Sequence, residues 1–427
     1  TAASNASDVG SYNIEYSSGL VSAIGYAFAD KTASVNEYAV IPRVISLSGT
    51  REYDQGVTAE ASDFITFNNV MAGEALTLTG AGSVADKNVA NNKAVTAGTL
   101  ALGDGVNGLA SNYTLVNGTH QLSITPKAVT VSGIDAQDKI YDANTMATLI
   151  TSGAIFDGLI VNDDLSVSGT GSFADQNVGA DINVTANLVL GGGDVGNYTL
   201  QGAPNVILAE ITPKSVILSA TKIYDALADL TGNVTIDTGI AGESLTYSGA
   251  TASDINVATA HNYINAITLE DGTGLANNYQ LPDLASGSVN NTVVITPYVV
   301  DFTGTRSYNG TTDVNAGDLN LVLVGSETLE VSGTGSVADK HVASGKAVTS
   351  LGDLALQDGQ GANAGIASNY TLANGTQTMD ITKANLTITT DDVVKTYDAN
   401  TNASGSAIVD SSSSTQLFDN DTLIGGT

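Results

Sequence analysis

The chain has 427 residues, with 14 basic against 44 acidic side chains for a formal net charge of −30, 46 glycines and no cysteine. An acid excess of this size repels nucleic acid and anionic lipid, since phosphate binding needs clustered Lys and Arg. The missing thiols remove disulfides, thiolate metal sites and cysteine nucleophiles. With aromatics at 5% and no Trp, any core must be small and built from Val, Ile, Leu and Ala, in a composition poor in helix formers.

Along the chain the same landmarks return. Residues 1–42 carry Gly10-Ser11-Tyr12-Asn13-Ile14 and Ile41-Pro42 and read as the closing part of a repeat. A Tyr-Asp pair (once Tyr-Asn) then begins at Tyr53, Tyr141, Tyr224, Tyr308 and Tyr397, at intervals of 88, 83, 84 and 89 residues. Between these lie Ala/Ser-Asp-x-Asn/His-Val with Asp86, Asp175, Asp254 and Asp339, then Asn-Tyr-x-Leu with Tyr113, Tyr198, Tyr279 and Tyr370. Ile-Thr-Pro ends at Pro126, Pro213 and Pro297, and Ile381-Thr382-Lys383 takes its place once more. A fixed period is the first thing to settle in such a sequence. It divides the chain into repeats 43–126, 127–213, 214–297 and 298–383, with 384–427 as the opening part of another.

Inside each repeat the apolar residues alternate. In 127–213, Ala128-Val129-Thr130-Val131, Leu165-Ser166-Val167-Ser168 and Ile182-Asn183-Val184 have period 2 and are separated by Asp157-Gly158, Asp175-Gln176-Asn177 and Gly191-Gly192-Gly193. Short alternating runs between turn residues predict strands. About seven of them in ~85 residues predict an all-β chain of tandem Ig-like sandwiches. A solenoid rung is only ~20–30 residues long. Pro after Ile-Thr withholds a ladder donor and stiffens the link to the next repeat, which predicts an elongated rod.

Tyr-Asp near the start, Asn-Tyr-x-Leu late and closing Ile-Thr-Pro-Lys (Ile124 to Lys127, Ile211 to Lys214) resemble the YDG and MBG-type repeats of bacterial surface exoproteins. Such repeats are common in filamentous-haemagglutinin-like adhesins exported by two-partner secretion. One departure is that Gly follows the motif only at Gly310, while Ala143 and Ala399 stand there in other repeats. The resemblance implies an extracellular, cell-surface stalk serving attachment, cell–cell contact or biofilm matrix. It implies no catalytic residue, and places any polysaccharide or protein ligand outside this region. Lateral or end-to-end self-association fits the same reading, and a subunit of a self-assembling filament or surface layer is the alternative to a stalk.

Two charged series accompany the landmarks. A base lies two residues before each motif Tyr (Arg51, Lys139, Lys222, Arg306, Lys395), and an acid two residues before a recurring Leu (Glu74, Asp163, Glu243, Glu327, Asp421). Residues i and i+2 of a strand share a face, so the expectation is a register-setting cross-strand ion pair, Lys139 with Asp163 in the second repeat. The motif tyrosines are expected to bury their rings and bond backbone through their hydroxyls. Aspartates such as Asp175 are read as turn formers, with no metal and no cofactor site assigned, because no Ca²⁺-loop spacing is present. His120, His261 and His341 share no position, and no apolar run reaches the ~18 residues of a membrane span. With no leader segment at Thr1 and partial repeats at both ends, the chain is expected to continue in both directions.

Overall fold

The computed structural model describes residues 8–12, 23–24, 38–202, 206–409, 417–418, 421–422 and 424. Asn13-Ile14 of the expected closing part, and most of residues 410–427 of the expected opening part, lie outside the described residues. The chain is all-β: among the described residues the only helices are single 3-10 turns, and no helix is long and apolar enough to cross a membrane. It forms two compact units, Thr1–Thr212 and Pro213–Thr427.

In the first unit, Ser46–Glu52 sits at the middle of a four-stranded sheet. It runs antiparallel to Phe64–Asn68 and parallel to Gln121–Thr125, which in turn pairs antiparallel with Ala90–Ala94. Two ribbons accompany the sheet, Thr58–Glu60 with Ala81–Ser83 and Leu76–Thr79 with Ala101–Asp104. The period-2 pattern explains the core. Leu47, Leu122 and Ile124 are at most 1% exposed and cluster with Ala59, Phe64, Val84, Val95 and Leu100. Truncating a fully buried Ile such as Ile124 to Ala would cost ~2–5 kcal/mol.

The second repeat follows the same plan with a broken first strand. From Lys127 to Tyr141 is 14 residues, against 10 from Lys214 to Tyr224, so four extra residues must be accommodated. The strand Lys127–Ser132 stops at Gly133, whose φ of 71° suits glycine, and pairing resumes in Asp135–Ala136 and Lys139–Ile140. Lys139–Ile140 lies parallel to Ile207–Thr212 at the edge of a five-stranded sheet.

In the second unit, Ile217–Ile223 lies parallel to Asn291–Thr296, and Asp301–Ser307 parallel to Gln377–Thr382. The latter pair is inside a six-stranded sheet. A hairpin of Thr246–Ala252 and Ile264–Glu270 completes the third repeat's larger pairings.

All four repeats therefore pair their first and last strands in parallel. The closing Ile-Thr element locks this pairing twice. The carbonyl of Thr125, Thr212, Thr296 or Thr382 accepts the N–H of Tyr53, Tyr141, Tyr224 or Tyr308 at 2.9 Å, and the threonine hydroxyl donates to the carbonyl of the base before that Tyr at 3.3 Å. Each new repeat then starts at once, with Lys127–Ser132, Lys214–Ser215 and Tyr298–Val299.

Candidate functional site at the repeat joints

Three recurring turns supply the site. The first is the Tyr-Asp turn. The Asp54, Asp142, Asp225, Asn309 and Asp398 side chains each accept the backbone N–H two residues on, at 2.8–3.1 Å. Such an Asx-turn puts the intervening residue in the left-handed region: Gln55, Ala143, Ala226, Gly310 and Ala399 have φ of 66, 61, 64, 82 and 63°.

The base before the Tyr closes this turn, which corrects the expected pairing. The Lys139 ammonium bonds Asp142 at 2.6 Å and the Asn144 carbonyl at 2.6 Å, with no contact to Asp163. Lys222 bonds Asp225 at 2.7 Å and the Leu227 and Asp229 carbonyls, and Lys395 bonds Asp398 at 2.9 Å. Arg51 and Arg306 reach Asp54 and Asn309 and the carbonyls of Thr58 and Thr311. The physical reason is proximity: a carboxylate three residues away and inward carbonyls saturate the ammonium before any partner from another strand arrives. The resulting bonds hold the Asp142 carboxyl below its ordinary range despite the burial that opposes ionisation, with Lys139 and the Asn144 N–H as the lowering contacts.

The second turn is Asp-x-Asn/His-Val. Asp86, Asp175, Asp254 and Asp339 each accept the N–H two residues on, at 2.7–2.9 Å. Lys93 and Lys346 bond Asp86 and Asp339 at 2.6 Å. The third is the 3-10 turn before Asn-Tyr-x-Leu (Ala110–Asn112, Val195–Asn197, Ala276–Asn278, Ala367–Asn369), which delivers the Tyr into a short strand parallel to the start of its own repeat. The rings of Tyr113, Tyr198, Tyr279 and Tyr370 are buried there. Their hydroxyls donate at 2.6 Å to Glu74, Asp163, Glu243 and Glu327, the acid series. The Tyr113 and Tyr198 hydroxyls also accept the backbone N–H of Met71 and Ile160 at 3.2 Å.

These turns meet between neighbouring repeats. Where the first repeat meets the second, Asp163 accepts from Tyr198 of its own repeat and from Lys87 at 3.0 Å and Gln55 at 2.7 Å of the preceding one, with its side chain 1% exposed. The Tyr53 ring packs edge-on against Tyr198, centroids 5.5 Å apart. The Tyr53 hydroxyl is enclosed near Lys87 and Asp163 without a hydrogen bond of good geometry to either. Beside them the Asn197 carboxamide accepts the Val89 N–H at 3.0 Å and donates to the Asn88 side chain at 3.2 Å.

The third and fourth repeats meet in the same way. Glu327 accepts from Tyr370 at 2.6 Å and from Tyr224 of the preceding repeat at 2.7 Å, with the two rings edge-on at 5.4 Å. Asn369 accepts the Val257 N–H and donates to Asn256, both at 2.8 Å. Asp421 accepts from Tyr308 at 2.5 Å and Lys340 at 2.8 Å. Asn112 accepts the Val9 N–H at 2.6 Å and donates to Asp8 at 2.7 Å.

The electrostatics follow from this packing. Burial opposes ionisation of Asp163, but bonds from Tyr198 and Lys87 outweigh it and hold the carboxyl at about 2. Burial, then the adjacent carboxylate, pushes Tyr198 and Tyr224 up to about 12. The tyrosine hydroxyls thus stay protonated donors across the physiological range.

Of the residues singled out from sequence, Tyr53, Tyr224, Tyr308, Asp163, Tyr198 and Tyr370 come together in joints. Lys139 remains in its own turn, and Tyr397 is 90% exposed. Sequence reasoning missed Lys87, Lys340, Gln55 and the landmark asparagines. The asparagines carried a signal: the Asn before the landmark Tyr recurs in all four repeats and the Asn of the Asp-x-Asn turn in three of them, with His341 in the fourth. Among the described residues no group of His, Asp and Glu is arranged to hold a metal ion.

The YDG domain family model matches residues 27–121, 125–205 and 291–379, more than half of the chain. No curated protein and no solved structure matches it. Residues 206–290 fall outside those matches, yet the third repeat keeps the Lys222 turn, the Tyr279–Glu243 bond and the parallel first and last strands.

Proposed function

This chain belongs to the YDG domain family, and we propose that it is a stalk segment of a secreted bacterial cell-surface adhesin, working in attachment, cell–cell contact or biofilm matrix. The observation that carries this reading is the parallel pairing of first and last strands in every repeat. A parallel pair makes the chain leave a repeat at the pole opposite to its entry. A six-residue strand advances ~20 Å, so each repeat carries the chain forward instead of returning it. Within each unit, buried polar bonds such as Lys87 to Asp163 and Tyr224 to Glu327 tie one repeat to the next.

The surface chemistry supports the same role. A net charge of −30 favours solubility and mutual repulsion in an exported protein. On this reading the repeats carry neither catalysis nor the ligand contact, which belongs elsewhere in the full-length protein.

The test uses cells that make the full-length protein. Protease added to intact cells should release these repeats, and internal deletion of residues 127–212 should weaken attachment while leaving export intact. Retention of the repeats until cells are lysed would contradict the surface location. Assembly of the isolated chain into denaturant-sensitive filaments would favour a filament subunit instead.

A further inference from the structure

Two positions vary together along the sequence. The residue after the landmark Asp is Lys87, Gln176, Ile255 or Lys340, and the acid of the next repeat is Asp163, Glu243, Glu327 or Asp421 respectively. Lysine is followed by aspartate twice, and a neutral residue by glutamate twice.

The geometry gives a reason. Asp163 is buried, and a buried carboxylate is costly without a cation. Lys87 supplies one at 3.0 Å, above the Tyr53 ring. The short aspartate leaves the Tyr53 hydroxyl unbonded, and the lysine fills that space. Glu327 is one methylene longer, only half-buried, and spans to hydroxyls of both repeats, Tyr224 and Tyr370. Among the described residues it has no ion pair. At Asp421 the lysine returns, at 2.8 Å from the carboxylate.

We propose that these two positions form a matched pair that makes each repeat specific for one class of neighbour, lysine faces accepting aspartate repeats and neutral faces accepting glutamate repeats. Mismatches fail in opposite ways. Lysine with glutamate overfills the pocket, and a neutral residue with aspartate buries an unpaired carboxylate. The order of repeats along the chain is then written into the joints themselves, whatever the stalk attaches to, so this inference stands independently of the surface role.

The test is a double-mutant cycle in the full chain, read by hydrogen exchange of the Val89 amide, which Asn197 covers. Lys87→Gln alone and Asp163→Glu alone should each speed exchange about tenfold. The double variant, which gives the neutral-residue and glutamate combination found at Ile255 and Glu327, should return to within about twofold of the parent. The Val257 amide, at a joint left unaltered, should not change and reports that the chain is folded. The converse pair, Ile255→Lys with Glu327→Asp, should behave the same way at Val257. Additive effects in both double variants, or single variants without effect, would overturn the proposal.

Discussion

The side-chain oxygen of Asn369 accepts the backbone N–H of Val257, 112 residues earlier, at 2.8 Å, and its amide donates to Asn256 in return. Asn369 is fully buried, so its truncation leaves the Val257 N–H and the Asn256 carboxamide without a partner inside the closed joint. A buried polar group left without its partner costs ~1–3 kcal/mol. Asn369→Ala should therefore loosen this joint, with faster exchange at Val257 and little change at core amides such as Ile295.

The tyrosines of the Tyr-Asp motif should respond unequally to loss of their hydroxyls. Tyr224 donates to Glu327 at 2.7 Å, and a hydrogen bond to a charged group contributes ~1.5–3 kcal/mol. The enclosed Tyr53 hydroxyl has no hydrogen-bond partner. Tyr224→Phe should lower stability in urea by that amount, and Tyr53→Phe should be neutral or slightly stabilising.

The corrected ion pair has its own cycle. Lys139→Ala and Asp142→Ala should couple by ~0.5 kcal/mol, as a partly exposed pair does. Lys139→Ala and Asp163→Ala should add, because those groups do not touch. Coupling in the second cycle would restore the cross-strand pair.

Much of the fold was legible because period-2 alternation and a repeating landmark order are local properties of the sequence. Leu47, Leu122 and Ile124 fall in the core where alternation puts them. Sharing a face with Tyr141 says nothing about the reach of Lys139, which folds back three residues to Asp142. The acid series was read within one repeat, whereas Asp163 also serves the repeat before it through Lys87. No periodicity reports a contact between repeats. The correlated Lys/Asp and neutral/Glu choices were the available signal.

The missing motif glycine gives a stability test. Ala143 and Ala226 hold φ near 60°, where a Cβ costs ~1–2 kcal/mol, partly offset by the backbone freedom glycine would lose. Ala143→Gly and Ala226→Gly should each stabilise the chain by ~0.5–1 kcal/mol in urea unfolding. A loss of stability in both would mean that the Asx-turn is not formed in solution.

Alkaline pH should weaken the joints before it affects the cores. An unfolded tyrosine ionises near ~10, while Tyr198 and Tyr224 are pushed up to about 12 by burial and then by Asp163 and Glu327. Their contribution is fully present below pH ~10 and is lost as pH rises through the folded value, about 3 kcal/mol each. Urea stability should fall by about these amounts between pH ~10 and pH ~12, and Tyr198→Phe should flatten the fall.

The most direct measurement is the titration of the Asp163 carboxyl carbon by NMR in the full chain. A joint closed in solution keeps Tyr198, Lys87 and Gln55 on that carboxylate, so Asp163 should titrate at about 2. Lys87→Gln should move it up toward the usual carboxylate range. An Asp163 that titrates at the ordinary value of a free aspartate, indifferent to Lys87→Gln, would contradict the joint.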